Sequence, residues 1–306
     1  MDNVAVELSA VVVAVTGGEP RVLTVSDGNA LPEGPFESAH RTLELGLRDW
    51  VKASTGHSLG YVEQLYTFAD RNRVLSSGRR LISLSYLALA RETPSETGSV
   101  RWSPWDWYFP WEDWRRPEGQ EAARALSEQL LDWARRAPDP GVAGGRRQRA
   151  VSTFGLDGAP WNEELALQRY ELLYEAGLVA ESIRDAGEMG MAAPGSGMPM
   201  AWDHRRILAT AISRLRAKIK YRPVVFELLA PSFTRLQLQQ TVEALAGHGV
   251  HKQNFRRLID QQGLIEDTGQ IASDTGGRPA RLARFRPEVL VERAVAGTRP
   301  AMLRTR

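Results

Sequence analysis

The sequence predicts an α+β protein in two parts, a mixed α/β sandwich followed by a helix-turn-helix module with a β-hairpin wing. Three observations carry that prediction. A β-branched run opens the chain and gives way to alternating strand-like and helix-like stretches; a long amphipathic helix covers 203–218; and beyond Pro223 the order is helix, short turn, basic helix, hairpin.

Residues 4–15 form an extended run rich in valine, Gly17-Gly18-Glu19-Pro20 makes a turn, and 21–25 returns as a short strand, so the chain opens with a hairpin. Between 38 and 54 Leu43, Leu45, Leu47, Trp50 and Val51 recur at roughly helical spacing, and Thr55-Gly56 stops that helix. Residues 59–68 and 80–90 read as two further strands, with Arg71-Asn72-Arg73 opening the loop between them. Five of the nine tryptophans fall at 102, 105, 107, 111 and 114, where Pro104 and Pro110 forbid a regular helix; such a cluster is expected to bury large area against the sheet or a partner subunit. A surface helix is expected over 118–136, a linker over 137–145, a helix over 162–176, and a mobile loop over the small, almost uncharged residues 186–200. Asp203 caps the next helix, whose stripe of Ile207, Leu208, Ala211, Ile212 and Leu215 faces away from Arg205, Arg206, Arg214 and Arg216. This helix is expected to bridge the two parts.

Charge is divided along the chain. The total is +2, yet residues 201–306 hold 19 Lys/Arg against 9 Asp/Glu, net +10, leaving 20 against 28, net −8, for residues 1–200. A polyanion is therefore drawn to the C-terminal third, since neutralising phosphates releases counterions. Cysteine is absent, which excludes disulfides, thiolate catalysis and cysteine-ligated zinc. The longest apolar run, 10–15, is far too short to span a bilayer, and the opening Met-Asp-Asn-Val lacks a basic leader, so a cytoplasmic location without membrane association is expected.

The C-terminal module begins with a short strand over 224–229. Ser232 or Thr234 caps a helix with Leu236, Val242 and Leu245 on its core face, and Gly247-His248-Gly249 ends it. In the second helix Phe255, Leu258 and Ile259 share one face, leaving Lys252, Gln253, Asn254, Arg256 and Arg257 elsewhere. Amide and guanidinium groups suit phosphate positioning and base-edge hydrogen bonds in the major groove of double-stranded DNA. A strand from 263, a polar loop over 268–277 and a returning strand over 278–285 complete a hairpin with Arg278 and Arg281 at its base, where arginines meet the backbone or minor groove. These seven side chains are the candidate DNA-binding residues.

Several motifs together resemble the Nudix-related transcriptional regulators of NAD metabolism, the NrtR-like or NadQ-like group. They are Val62-Glu-Gln-Leu-Tyr-Thr-Phe-Ala-Asp-Arg-Asn-Arg with the strand 82–90, Asp203-His-Arg-Arg-Ile-Leu with Lys220-Tyr-Arg-Pro-Val-Val-Phe-Glu-Leu-Leu, and Asn254-Phe-Arg-Arg with Gly277-Arg-Pro-Ala-Arg-Leu-Ala-Arg-Phe. The resemblance implies a Nudix-like α/β/α sandwich over 1–150, a helical connector over 151–219 and a winged helix-turn-helix over 220–306. It further implies a homodimer, a repressor's operator near NAD biosynthesis or salvage genes, and an effector of the ADP-ribose, NAD or ATP type, with no cofactor required.

Active Nudix enzymes carry an Arg-Glu pair, then paired glutamates and a glycine, whose carboxylates hold magnesium. Aligned on Gly56, the stretch here is Asp49-Trp-Val-Lys-Ala-Ser-Thr-Gly, placing Ala53 and Ser54 at the glutamate pair; aligned instead on Arg48-Asp49, Lys52 and Ala53 stand there. Either register lacks the oxygen ligands that hard divalent cations need, so neither catalytic nor metal-binding residues are assigned. Glu37, Glu44 and Asp49 remain nearby as carboxylates for residual metal binding. An inactive pocket still binds a nucleotide diphosphate through cations, and Arg41, Arg71 and Arg73 are the candidates.

Overall fold

The structure is a computed structural model that describes residues 4–70, 72–75, 78–93, 100–221, 224–272, 279–286 and 288. Strands β1 (Ala5–Thr16), β2 (Glu19–Val25), β3 (Glu33–Pro35), β4 (Val62–Phe68), β5 (Leu81–Leu89) and β6 (Val100–Pro104) make one sheet in the order β4-β5-β1-β2-β6, with β3 also paired to β1. β1 and β5 run parallel with Ala5 opposite Leu81, and the other pairs are antiparallel. Both faces of β1 are covered, which is why its sequence reads as an unbroken apolar run. Leu8, Ala10 and Val12 pack with Leu47 and Val51 of helix α1 (Leu43–Thr55), and Val11 and Val13 join the core shared with Ile207, Leu208 and Ile212 of the long helix α6 (His204–Tyr221). The expected sandwich is present.

Thr42 caps α1 by accepting from the Leu45 amide at 3.2 Å, and Gly56 closes it at φ 75°, a left-handed conformation that suits glycine. Four helices precede α6: α2 (Pro117–Arg135), which packs on α3 (Pro140–Phe154), then α4 (Ala166–Glu175), which packs on α6, and α5 (Ala180–Ala186). Three expectations are corrected here. The supposed linker 137–145 turns into α3, because Asp139 accepts from the Val142 amide at 2.9 Å and Pro140 fits a first helical turn; the expected break after residue 150 therefore falls inside a helix. Within 186–200, Met189, Met191 and Met198 are exposed, but the backbone is tied down at its end: the Met198 amide donates to the Trp107 carbonyl at 2.7 Å and the Met200 amide to Glu181 at 2.9 Å. On α6 the apolar stripe is buried as expected, yet Arg205 and Arg216 are buried too, each ion-paired with a carboxylate from another element.

The C-terminal part contains β7 (Phe233–Thr234), α7 (Arg235–Ala246), α8 (Lys252–Gln262), β8 (Ile265–Ala272) and β9 (Ala280–Phe285), its sheet ordered β7-β9-β8. Thr234 and Gln237 form a reciprocal capping box at the start of α7. The expected strand 224–229 is a 3-10 helix, Val224–Leu228, since a short apolar run does not distinguish the two. Leu238 and Leu245 fill the core whereas Leu236 is exposed, as is Leu258 on α8, correcting both assignments. One apolar core runs without interruption from Val11 in the sandwich to Phe285 in the wing.

Candidate nucleic-acid interface and effector domain

Helix α8 is held by two side chains. Phe255 and Ile259 are its buried residues, four apart and thus on one face, and they turn Lys252, Gln253, Asn254, Arg256 and Arg257 outward, all exposed. The five residues expected on this helix therefore lie together on a solvent-facing surface. Turn 247–251 sets α8 after α7, with Gly247 at φ 77° capping α7.

The wing adds a second set of cations. Arg281 is exposed and pairs with Asp267 at 3.3 Å, and Arg284 pairs with Glu266 at 2.7 Å across β8 and β9. Arg278 lies outside the described residues. A groove of about 520 Å³ brings Arg256 and Arg281 together with Arg235 at the start of α7, which is paired with Asp260 at 2.7 Å. Sequence reasoning passed over Arg235; its place directly after the Thr234 cap, where a first turn faces the wing, was the available signal.

The sandwich treats its arginines differently. Arg41 is exposed ahead of α1 and Arg71 lies outside the described residues. Arg73 is only 1% exposed, donates to Asp203 at 2.5 Å and is ion-paired with Glu7. Its charge is already met by carboxylates, which corrects the expectation of a cation open to a diphosphate. Burial foremost, and then the charge of Glu33, push the Glu7 carboxyl up to about 7, against the opposing pull of Arg73. His204, at the start of α6, contacts Glu33 at 2.9 Å and accepts from the Leu31 amide at 3.1 Å, so this cluster joins β1 and β3 to the connector helix.

On α1, Lys52, Ala53 and Ser54 are exposed. Glu44 is spanned by Arg48 at 2.9 Å, and Arg48 also donates to the carbonyls of Leu59 and Gly60 at 2.6 and 3.0 Å. Among the described residues, no three His, Asp or Glu side chains converge as metal donors. No helix among them is long and apolar enough to cross a membrane.

Residues 225–285 match the family described as the NrtR DNA-binding winged helix domain. A curated relative, the ADPR responsive transcriptional repressor NtrR of Acinetobacter baylyi, is 38% identical over 88 residues, which are 29% of this chain and 35% of that protein. The chain thus aligns with about a third of that relative's length. Among solved structures, Shewanella oneidensis NrtR complexed with a 27mer DNA superposes with a TM-score of 0.56 at 20% identity, covering 94% of this chain and 95% of that one. A MutT/nudix family protein from Enterococcus faecalis gives 0.53 at 16% identity, covering 93% and 88%. At these identities the structural likeness is one of fold. The chain therefore joins an NrtR DNA-binding winged helix domain to a Nudix-like α/β/α sandwich, the fold of the Nudix-related regulators whose motifs it resembles.

Proposed function

We propose that the chain is a DNA-binding transcriptional regulator, a repressor of NAD biosynthesis or salvage genes, whose Nudix-like part senses an ADP-ribose, NAD or ATP-type nucleotide without hydrolysing it. The observation that carries this reading is the outward face of α8, with Lys252, Gln253, Asn254, Arg256 and Arg257 exposed in a domain matched by the NrtR winged helix family. A homodimer sets two such helices into successive major grooves of a pseudo-palindrome. The likeness to a repressor described as ADPR responsive favours ADP-ribose over the other two nucleotides. In either register, Ala53 with Ser54 or Lys52 with Ala53, the glutamate pair of a hydrolase is replaced, which supports a sandwich with the shape of the enzyme but without its metal ligands. Residues 220–306 are taken as the DNA-binding unit.

The test is duplex binding to DNA upstream of the NAD-synthesis genes with Arg256→Ala and Arg257→Ala. Loss of affinity in both supports the assignment, and wild-type affinity in both removes it. Incubation with Mg²⁺ and ADP-ribose is expected to leave the nucleotide intact; turnover that a pocket substitution abolishes would favour the hydrolase reading.

A further inference from the structure

Glu112, in the tryptophan-rich segment, is wholly buried and grips two elements at once. Arg169 of α4 donates to its carboxylate at 2.5 and 2.8 Å, and Arg216 of α6 is ion-paired with it. Arg216 continues outward, donating to the Glu112 carbonyl at 3.0 Å and to the Leu245 carbonyl, in the last turn of α7, at 2.9 Å. The Trp114 amide donates to the Gly247 carbonyl at 2.6 Å. At Gly247 the two backbones touch so closely that an added Cβ would overlap the Glu112 carbonyl oxygen.

The opposite side of the same segment is anchored to the sandwich. Tyr108 donates its hydroxyl proton to the Gly28 carbonyl at 2.6 Å, Arg115 donates to the Gly18 carbonyl at 2.6 Å, and Arg116 pairs with Glu19 at 2.7 Å. Arg205 of α6 donates to the Tyr108 carbonyl at 2.7 Å. Residues 105–116 thus hold the β1–β2 turn and the loop after β2 at one side, and the end of α7 at the other. Glu112 cannot leave its two arginines without stranding buried charge.

We infer that residues 105–116 are the positioning joint through which the Nudix-like sandwich sets the stance of α7 and α8, with Glu112 and Gly247 as its contact points. This rests on the regulator reading and adds its route of communication.

The experiment compares full-length wild type, Gly247→Ala and Gly249→Ala for duplex affinity with and without ADP-ribose, and measures ADP-ribose affinity separately. Gly249 is the control, because a Cβ there meets nothing within 4 Å. ADP-ribose is expected to change the DNA affinity of wild type and Gly249→Ala by about 5- to 150-fold, and that of Gly247→Ala by roughly two-fold or less, with ADP-ribose affinity retained in all three. Should Gly247→Ala fail to fold, hydrogen exchange of the wild type decides: ADP-ribose is expected to alter protection in 111–116 and 243–250. A folded Gly247→Ala with wild-type coupling overturns the joint, as does nucleotide-bound wild type whose exchange there is unchanged. A wild type that binds neither duplex nor nucleotide contradicts the regulator reading itself, and the joint falls with it.

Discussion

The arginines of α8 and those of α6 are one residue type put to opposite uses. Arg256 and Arg257 stand in solvent on a short helix fastened by two apolar side chains, whereas Arg205 and Arg216 are buried and each is held by a carboxylate from a distant element. Exposed cations are available to a phosphate backbone; buried ones are committed to the protein's own acids. The +10 of the C-terminal third therefore overstates the charge that a polyanion meets, because Arg205, Arg206 and Arg216 are paired within the molecule. Exposed cations of that third include those of α8, of the start of α7 and of the wing, where Arg235, Arg281 and Arg284 have acidic partners that the net figure already counts.

The sharpest way to break this comparison is to remove a buried partner. Glu112→Gln strands two guanidinium groups and is expected to lower stability by about 3–5 kcal/mol in urea unfolding. A loss of less than about 1 kcal/mol, the worth of a surface pair, would mean that the node does not hold the fold. The exposed set behaves otherwise. Arg256→Ala and Arg257→Ala are each expected to weaken operator binding by about 1–3 kcal/mol while leaving the melting temperature near that of the wild type, which titration and thermal melts check together.

A smaller effect distinguishes the sandwich. The Glu7 carboxyl is raised from 4.5 to about 7, chiefly by burial. The folded state thus favours its protonated form, a contribution complete below 4.5 and lost as pH rises through about 7. Glu7→Gln stays neutral, so its stability relative to the wild type is expected to climb across that window; a constant gap in denaturation at several pH values contradicts the assignment. The smallest effect belongs to the wing: Arg281→Ala is expected to reduce the salt slope of duplex binding by about one, with sequence preference unchanged.

What the sequence discloses follows the range of the forces involved. α1, α7 and α8 are fixed by neighbours in sequence: Thr42 with Gly56, Thr234 with Gln237, Phe255 with Ile259. Their existence and the outward side of α8 were accordingly legible. The exposure of Leu236 and Leu258 was not, because helical spacing locates a stripe without saying how far the neighbouring elements cover it. Arg73 was misread as an open pocket cation and Arg216 as a polar-face group because their partners lie 66 and 104 positions away, and local periodicity carries no trace of a carboxylate at that distance. The same holds for 186–200, whose small residues suggest freedom until the Met198 amide is found donating to the Trp107 carbonyl and Arg205 to the Ser196 carbonyl.

The central claim is that a basic winged helix grips duplex DNA while the sandwich ahead of it reports a nucleotide it leaves intact. Its most direct test is full-length protein titrated onto duplex from upstream of the NAD-synthesis genes between about 50 and 200 mM salt, with and without ADP-ribose. The regulator account expects affinity that falls steeply with salt, shifts with ADP-ribose, and leaves ADP-ribose uncleaved at the end. Affinity that is absent at the lowest salt, or indifferent to salt throughout, would contradict it.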